Sequence, residues 1–236
     1  MISERQNAIL KALIREYIKT AEPISSDFLA KKYDFGLCPS AIRIEMQLLI
    51  KSGFLEQPHT SAGRIPTDKA YRFFVDSLIE EKEGKENIIE NELEEIFKEK
   101  VIDRFQLAGN LAKFLANTSS GLAIVQFFNN GISWKEGWEE IAKEPEFIDK
   151  DFIFNFLNFI DNFEEKIKAL DIQGMHIYIG KEIPLPRAKS LSLICSTCMI
   201  SPNESAFVTI IGPKRMDYTR NIKLLNSLNK ALGDLI

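Results

Sequence analysis

Residues 54–78, FLEQPHTSAGRIPTDKAYRFFVDSL, decide how this chain is read. Within them His59, Thr60, Ser61, Gly63, Arg64 and Pro66 fall together without an acidic residue, between the apolar pair Phe54-Leu55 and an aromatic run. Such a stretch is too polar and too rich in chain breakers to be core, so it is expected as a loop that touches something. Phe54-Leu55 and Arg64-Ile65 read as short strands flanking the loop, which makes the loop a wing. Tyr71, Phe73 and Phe74 follow at helical spacing and are expected as packing behind it.

Upstream, Ser3-Glu4-Arg5-Gln6 is a capping box, and Ile9, Leu10, Leu13, Ile14, Tyr17 and Ile18 place an apolar stripe on the helix that follows. Pro23 restricts the residue before it and ends that element. A short second helix is expected from Ser25 or Ser26 to Tyr33, with a turn at Asp34-Phe35-Gly36. A third runs from Pro39, which costs no hydrogen bond in a first turn, to about Ser52. Its Ile42, Met46 and Leu49 face inward, while Ser40, Arg43, Ile44, Gln47 and Lys51 fall on the outward stripe. Helix, turn and outward-facing polar helix make a helix-turn-helix, and with the wing a winged helix.

The composition is that of a globular protein, 236 residues with 45% hydrophobic and 27% charged. Two domains are expected. No apolar run is long enough to span a membrane, no export signal stands at the N-terminus, and Cys38, Cys195 and Cys198 are too few for a disulfide framework. A cytoplasmic, soluble protein fits. The net charge of −4 hides an asymmetry: residues 1–72 hold six Lys and five Arg against three Asp and five Glu, net +3, and the remainder carries −7. The basic third is the part that reads as a winged helix.

Residues 80–100, EEKEGKENIIENELEEIFKEK, are charge-dense but keep Ile89, Leu93 and Ile96 at helical spacing, so a solvated connecting helix is expected. Leu107 to Ala116 reads as a further helix and LAIVQFF as a buried strand. Phe152, Phe156, Phe159 and Phe163 predict an amphipathic helix over 150–170. MHIYIG, SLSLICSTCMI and AFVTIIG predict three strands, and residues 218–235 a closing helix. The expected organisation is a winged-helix domain over 1–78, a connecting helix over 79–105 and a mixed α+β domain over 106–236.

Residues 4–76, and GFLEQPHTSAGRIPTDKAYRFFVD above all, resemble the N-terminal domain of the heat-inducible transcription repressor HrcA family. VTIIGPKRMDYTR is similar to that family's C-terminal segment, and EPEF followed by a helix resembles its middle. The resemblance implies a dimeric repressor with a GAF-like second domain and an inserted dimerising segment. It also implies an inverted-repeat CIRCE operator upstream of chaperone genes and a link to the GroEL chaperonin. Three features depart from the family pattern. GLAIV is joined almost directly to a region expected to be helix-rich, 132–170, so the inserted segment and part of the sheet are expected to be missing. The recognition helix reads CPSAIRIEM, with Ala41 and Ile44 where the family has a hydroxyl and an amide. Cys38 stands where the family has Ser, a better cap; Ser40 offers an alternative start.

Double-stranded DNA is the expected partner, bound by two copies on a palindrome, and no cofactor is implied. Arg43 is the first candidate for a base or phosphate contact, Gln47 lies one turn on, and Lys51 adds nonspecific attraction. Ile44 suits a thymine methyl or stays exposed. Ser40 and Ala41 open the helix. His59, Thr60, Ser61 and Arg64 suit phosphate or minor-groove contact, with Gly63 giving either positive φ or close backbone approach.

Rival readings find less support. Cys195 and Cys198 have CxxC spacing but sit in a predicted strand, where residues three apart point to opposite faces. No dinucleotide, Walker A or nucleophile-elbow motif is present, so an enzyme is not expected. A ligand-sensing or protein-interaction module with altered DNA specificity remains the alternative, with Trp134 and Trp138, one turn apart, as anchors for a partner.

Overall fold

In the computed structural model the described residues are 2–80, 93, 96, 103–127, 131–167, 172–201 and 204–233. The chain divides into two compact units, Met1–Lys82 and Glu83–Ile236. Most of the expected connecting helix over 79–105 lies outside the described residues.

In the first unit, α1 (Glu4–Thr20) begins at the expected capping box: Gln6 N donates to Ser3 Oγ at 3.2 Å and Ser3 N to Gln6 Oε1 at 3.1 Å. The buried stripe is Ile9, Leu10, Leu13 and Ile14. Ala21, at φ 56°, closes the helix in the left-handed region, where a non-glycine residue is uncommon. Then come α2 (Ser26–Lys32), α3 (Pro39–Lys51), a two-stranded antiparallel ribbon of β1 (Leu55–Glu56) and β2 (Ile65–Pro66), and α4 (Asp68–Glu80). The ribbon pairs Leu55 with Pro66 and Glu56 with Ile65, one residue further along each strand than expected. Arg64 is not in the ribbon because its backbone pairs with Ile24 instead. Phe74, Val75 and Leu78 of α4 are buried, as is Tyr71.

A buried charge fixes α2 against α1. Glu16, 1% exposed, accepts from Lys32 Nζ and from Tyr33 Oη, each at 2.6 Å. Burial alone pushes a carboxyl up, but these two donors and the Lys32 charge outweigh it and hold Glu16 below its ordinary value. Burial, and then the Glu16 carboxylate, push the Tyr33 hydroxyl up to about 12.

The second unit is an α+β fold built on a five-stranded, wholly antiparallel sheet in the order β4-β3-β7-β6-β5. Its elements run α5 (Arg104–Ser119), β3 (Leu122–Phe127), β4 (Ile132–Glu136), α6 (Trp138–Ala142), α7 (Lys150–Ile167), β5 (Met175–Ile179), β6 (Leu191–Ser201), β7 (Glu204–Pro213) and α8 (Tyr218–Gly233). Helices α5 and α8 pack on the sheet and on each other. Phe156, Phe159 and Phe163 of α7 join Leu122, Ile124, Leu193, Phe207 and Ile211 in one core on the other face. Alternation along each strand divides the two cores, so Cys195 and Cys198 point to opposite faces, both as free thiols.

Two expectations are corrected here. The start of the region expected to be helix-rich is the strand β4, paired with β3 from Ala123↔Glu136 to Phe127↔Ile132. Trp134 therefore lies in β4 and Trp138 opens α6; they are not one helical turn apart. Trp134 Nε1 donates to Glu136 at 2.9 Å and Trp138 meets the edge of Phe156. The strand's period was hidden because its alternation is weak, with neither face fully buried. Gly137, at φ 100°, makes the β4–α6 corner possible, since a Cβ there would lie 2.2 Å from the Gly121 carbonyl oxygen. Arg215 braces the segment before α7, with Nε donating to Glu146 at 2.8 Å and Nη2 to Glu144 and Glu146.

Replacing Glu16 by Gln is expected to lower the stability of the first unit by about 1–3 kcal/mol at neutral pH. Because the folded carboxyl titrates below the unfolded one, the Glu16 contribution is present above the ordinary carboxylate value of about 4.3 and is lost as pH falls through the depressed value. Urea midpoints of the two proteins should therefore converge on acidification; a constant gap would contradict the assignment.

Candidate nucleic-acid interface

The outward face of α3 is the exposed one. Ser40, Arg43, Ile44, Gln47 and Lys51 are all exposed and Ala41 is half-buried, opposite the buried Ile42, Met46 and Leu49. Ile44 is 63% exposed and Leu48 41%, so the stripe carries apolar as well as polar contact surface. The helix starts at Pro39 with Cys38 in the capping position and no side-chain cap bond. Ser40 does not begin a later start; its hydroxyl sits 3.1 Å from Cys38 Sγ and draws that thiol below its ordinary value.

Arg43 leans toward α2. Its Nη2 lies 3.5 Å from Asp27 and its Nε donates to Ser26 Oγ at 3.4 Å. Both ends of the ion pair are more than half exposed, and such pairs are worth about 0–1 kcal/mol, so Arg43 is easily released to a stronger anion. Lys51, in the last turn, is exposed and forms no ion pair with a described residue.

The wing loop places His59, Thr60 and Ser61 on the surface. What shapes it is Gln57, whose Nε2 donates to the carbonyls of Thr60 at 2.8 Å and Ala62 at 3.1 Å. The loop is thus a structured turn held by a side chain amide. Gly63 is needed for close approach and not for positive φ: a Cβ there would lie 2.5 Å from backbone atoms of Pro23 and Ile24. That approach lets Ile24 and Arg64 exchange both backbone hydrogen bonds, at 2.9 and 2.8 Å.

Arg64 is turned inward, only 9% exposed. Its Nη1 donates to the Ala62 carbonyl at 3.0 Å. Its Nε is buried without a hydrogen-bond partner among the described residues. Burial, and then the charge of Arg43, lower its pKa. The tip residues and the α3 stripe thus form an outer surface, and Arg43 and Arg64 share a cleft of about 280 Å³ behind it. Gln57, Ser26 and Asp27 escaped the sequence reading. The last two meet Arg43 only through the packing of α2 on α3, which no spacing signals. Gln57 could have been found as a long amide beside a turn.

A helix-turn-helix followed by a two-stranded wing, on a chain with a separate mixed sheet unit, defines a winged-helix protein by its build. The family model described as HrcA protein C terminal domain matches residues 77–222, more than half of the chain, and the chain belongs to the HrcA family. It is 42% identical to the heat-inducible transcription repressor HrcA of Symbiobacterium thermophilum, with 100% of this chain and 99% of that protein covered. It is 29% identical to the protein of that name from Thermoanaerobacter sp. strain X514, over 100% and 97%. Those alignments run over 339 and 333 positions against 236 residues here, so each relative has an internal stretch without counterpart. A crystal structure of a hypothetical protein matches at a TM-score of 0.85 and 17% identity, over 99% of this chain and 98% of that one, and shares the fold.

Cys38→Ser should supply the missing cap and stabilise the first unit by about 1 kcal/mol, read as a shift of its urea midpoint. Gly63→Ala should do the reverse by about 2 kcal/mol or more, because backbone and not a flexible side chain stands in the way. An unchanged midpoint for Gly63→Ala would show that the wing does not close on Ile24.

Proposed function

We propose that this chain is a non-enzymatic, sequence-specific DNA-binding repressor of heat-shock chaperone genes. It acts as a homodimer on an inverted-repeat operator of the CIRCE type. The observation that carries the reading is the exposed α3 stripe of Arg43, Gln47 and Lys51 beside an exposed polar wing, in the basic third of a chain whose relatives are named heat-inducible transcription repressors. In this reading residues 1–78 bind DNA, 79–105 connect, and 106–236 regulate and dimerise. The chaperonin link implied by the family is part of the same proposal. Among the described residues no helix is long and apolar enough to cross a membrane.

The division of labour follows from position. Arg43, Ile44 and Gln47 lie in the first turns and middle of α3, where recognition helices meet base edges in the major groove. Ser40 and Ala41 open that helix, close enough to the strand for backbone contact. Lys51 and the wing residues His59, Thr60, Ser61 and Gly63 lie where phosphates flank the groove. One such unit binds nonspecific DNA at only about 10⁻⁴ to 10⁻⁶ M, so a dimer with recognition helices about 34 Å apart, or a multiple, supplies the specificity.

The test is binding to a labelled inverted repeat, a half-site and a scrambled duplex across a salt series, with the mass of the complex recorded. Dimeric binding dependent on the palindrome is expected. Arg43→Ala or Gln47→Ala should erode the preference between sequences by about 1–3 kcal/mol, whereas Lys51→Ala should weaken all duplexes alike and reduce the salt slope by about 0.9. Wild-type binding that ignores the sequence would overturn the reading.

A further inference from the structure

An arginine that is nine-tenths buried ordinarily brings its own carboxylate, because desolvating a guanidinium costs several kcal/mol. Arg64 does not. Among the described residues it forms no ion pair, its Nε has no acceptor, and its recorded side-chain bonds go to the carbonyls of Ala62 and Gly63. The second charge on the cleft, Arg43, is positive as well. Thr60 and Ser61 add hydroxyls to the wall. The one carboxylate on the lining, Asp27, is 58% exposed and holds Arg43 at 3.5 Å, at the place where an entering anion would meet that guanidinium.

We propose that the cleft between α2, α3 and the wing loop is a binding site for a phosphate group, gripped by the buried Arg64 and by Arg43 once it leaves Asp27. A phosphate presents several acceptor oxygens at once, which suits two guanidinium groups on one cleft, one of them without a carboxylate partner among the described residues, with Thr60 and Ser61 in the same lining. The cleft volume of about 280 Å³ admits a phosphate group with room to spare. The source is either the backbone of bound DNA or free inorganic phosphate. Only the first rests on the DNA-binding reading above. With DNA as the source, the site seats a strand between the recognition helix and the wing; with free phosphate, it couples the wing's position to a small anion.

The full chain, labelled with ¹⁵N, is titrated with inorganic phosphate against chloride at constant ionic strength while the Arg64 Nε–H resonance is followed. That resonance is assigned by its loss in Arg64→Met. Expected is a saturable shift that Asp27→Asn strengthens. In parallel, the salt slope of DNA binding is measured for wild type and for Arg64→Met, with Arg64→Lys as a variant that keeps the charge should the Met protein fail to fold. A phosphate shift with an unchanged DNA slope assigns the site to free phosphate. A slope reduced by about 0.9 assigns it to the DNA backbone, with or without the shift. If both the shift and the slope change are absent, the site is overturned and Arg64 is only a brace for the Ala62 carbonyl. A wild-type protein that fails to bind DNA sinks the repressor reading, yet the phosphate titration still decides the site.

Discussion

Two backbone hydrogen bonds between Ile24 and Arg64 hold the wing to the helix-turn-helix, and most of what the first unit offers to a ligand depends on them. The ribbon beyond them is only two residues on each strand, too short to be stable alone. The Ile24 bridge adds a third extended segment, and Gly63 makes it possible by letting the wing backbone reach the backbone after Pro23. The same closure carries Arg64 inward, onto a cleft that Arg43, Thr60 and Ser61 also line.

Charge placement is the second constraint. Glu16 is a buried carboxylate with its cation and a hydroxyl in place, and it ties α2 to α1. Arg215 in the second unit is a buried guanidinium with two carboxylates in place, and it ties the segment before α7 to the turn before α8. Set beside these two satisfied charges, Arg64 is the exception. Its deficit falls on the side of the unit where α3 and the wing are exposed, where an anion would complete it.

The second unit is organised around a central strand with no free edge. β3 is hydrogen-bonded on both edges, to β4 and β7, and is buried on both faces along its length. Residues 127 and 132 are paired directly across the two strands, so β3 has no free strand edge. On the outer side of α7, Phe154 and Leu157 remain exposed, 59% and 48%, opposite the buried Phe156, Phe159 and Phe163.

Local signals determined much of this protein from the sequence alone. The capping box at Ser3, the two-faced stripe of α3, the phenylalanine ladder of α7 and the order of β5, β6 and β7 each rest on short-range periodicity or on residues a few positions apart. The family resemblance rested on a contiguous motif and needed no fold. Tertiary structure alone decided the rest. β4 lacked a clean alternation and became a strand because β3 needed a partner. The ribbon slipped by one residue because the Arg64 backbone is claimed by Ile24, forty positions away. The direction of the Arg64 side chain, and its meeting with Arg43, depend on how α2, α3 and the wing close on one another. Such long-range contacts leave no period in the sequence, because the partners are set by packing and not by spacing.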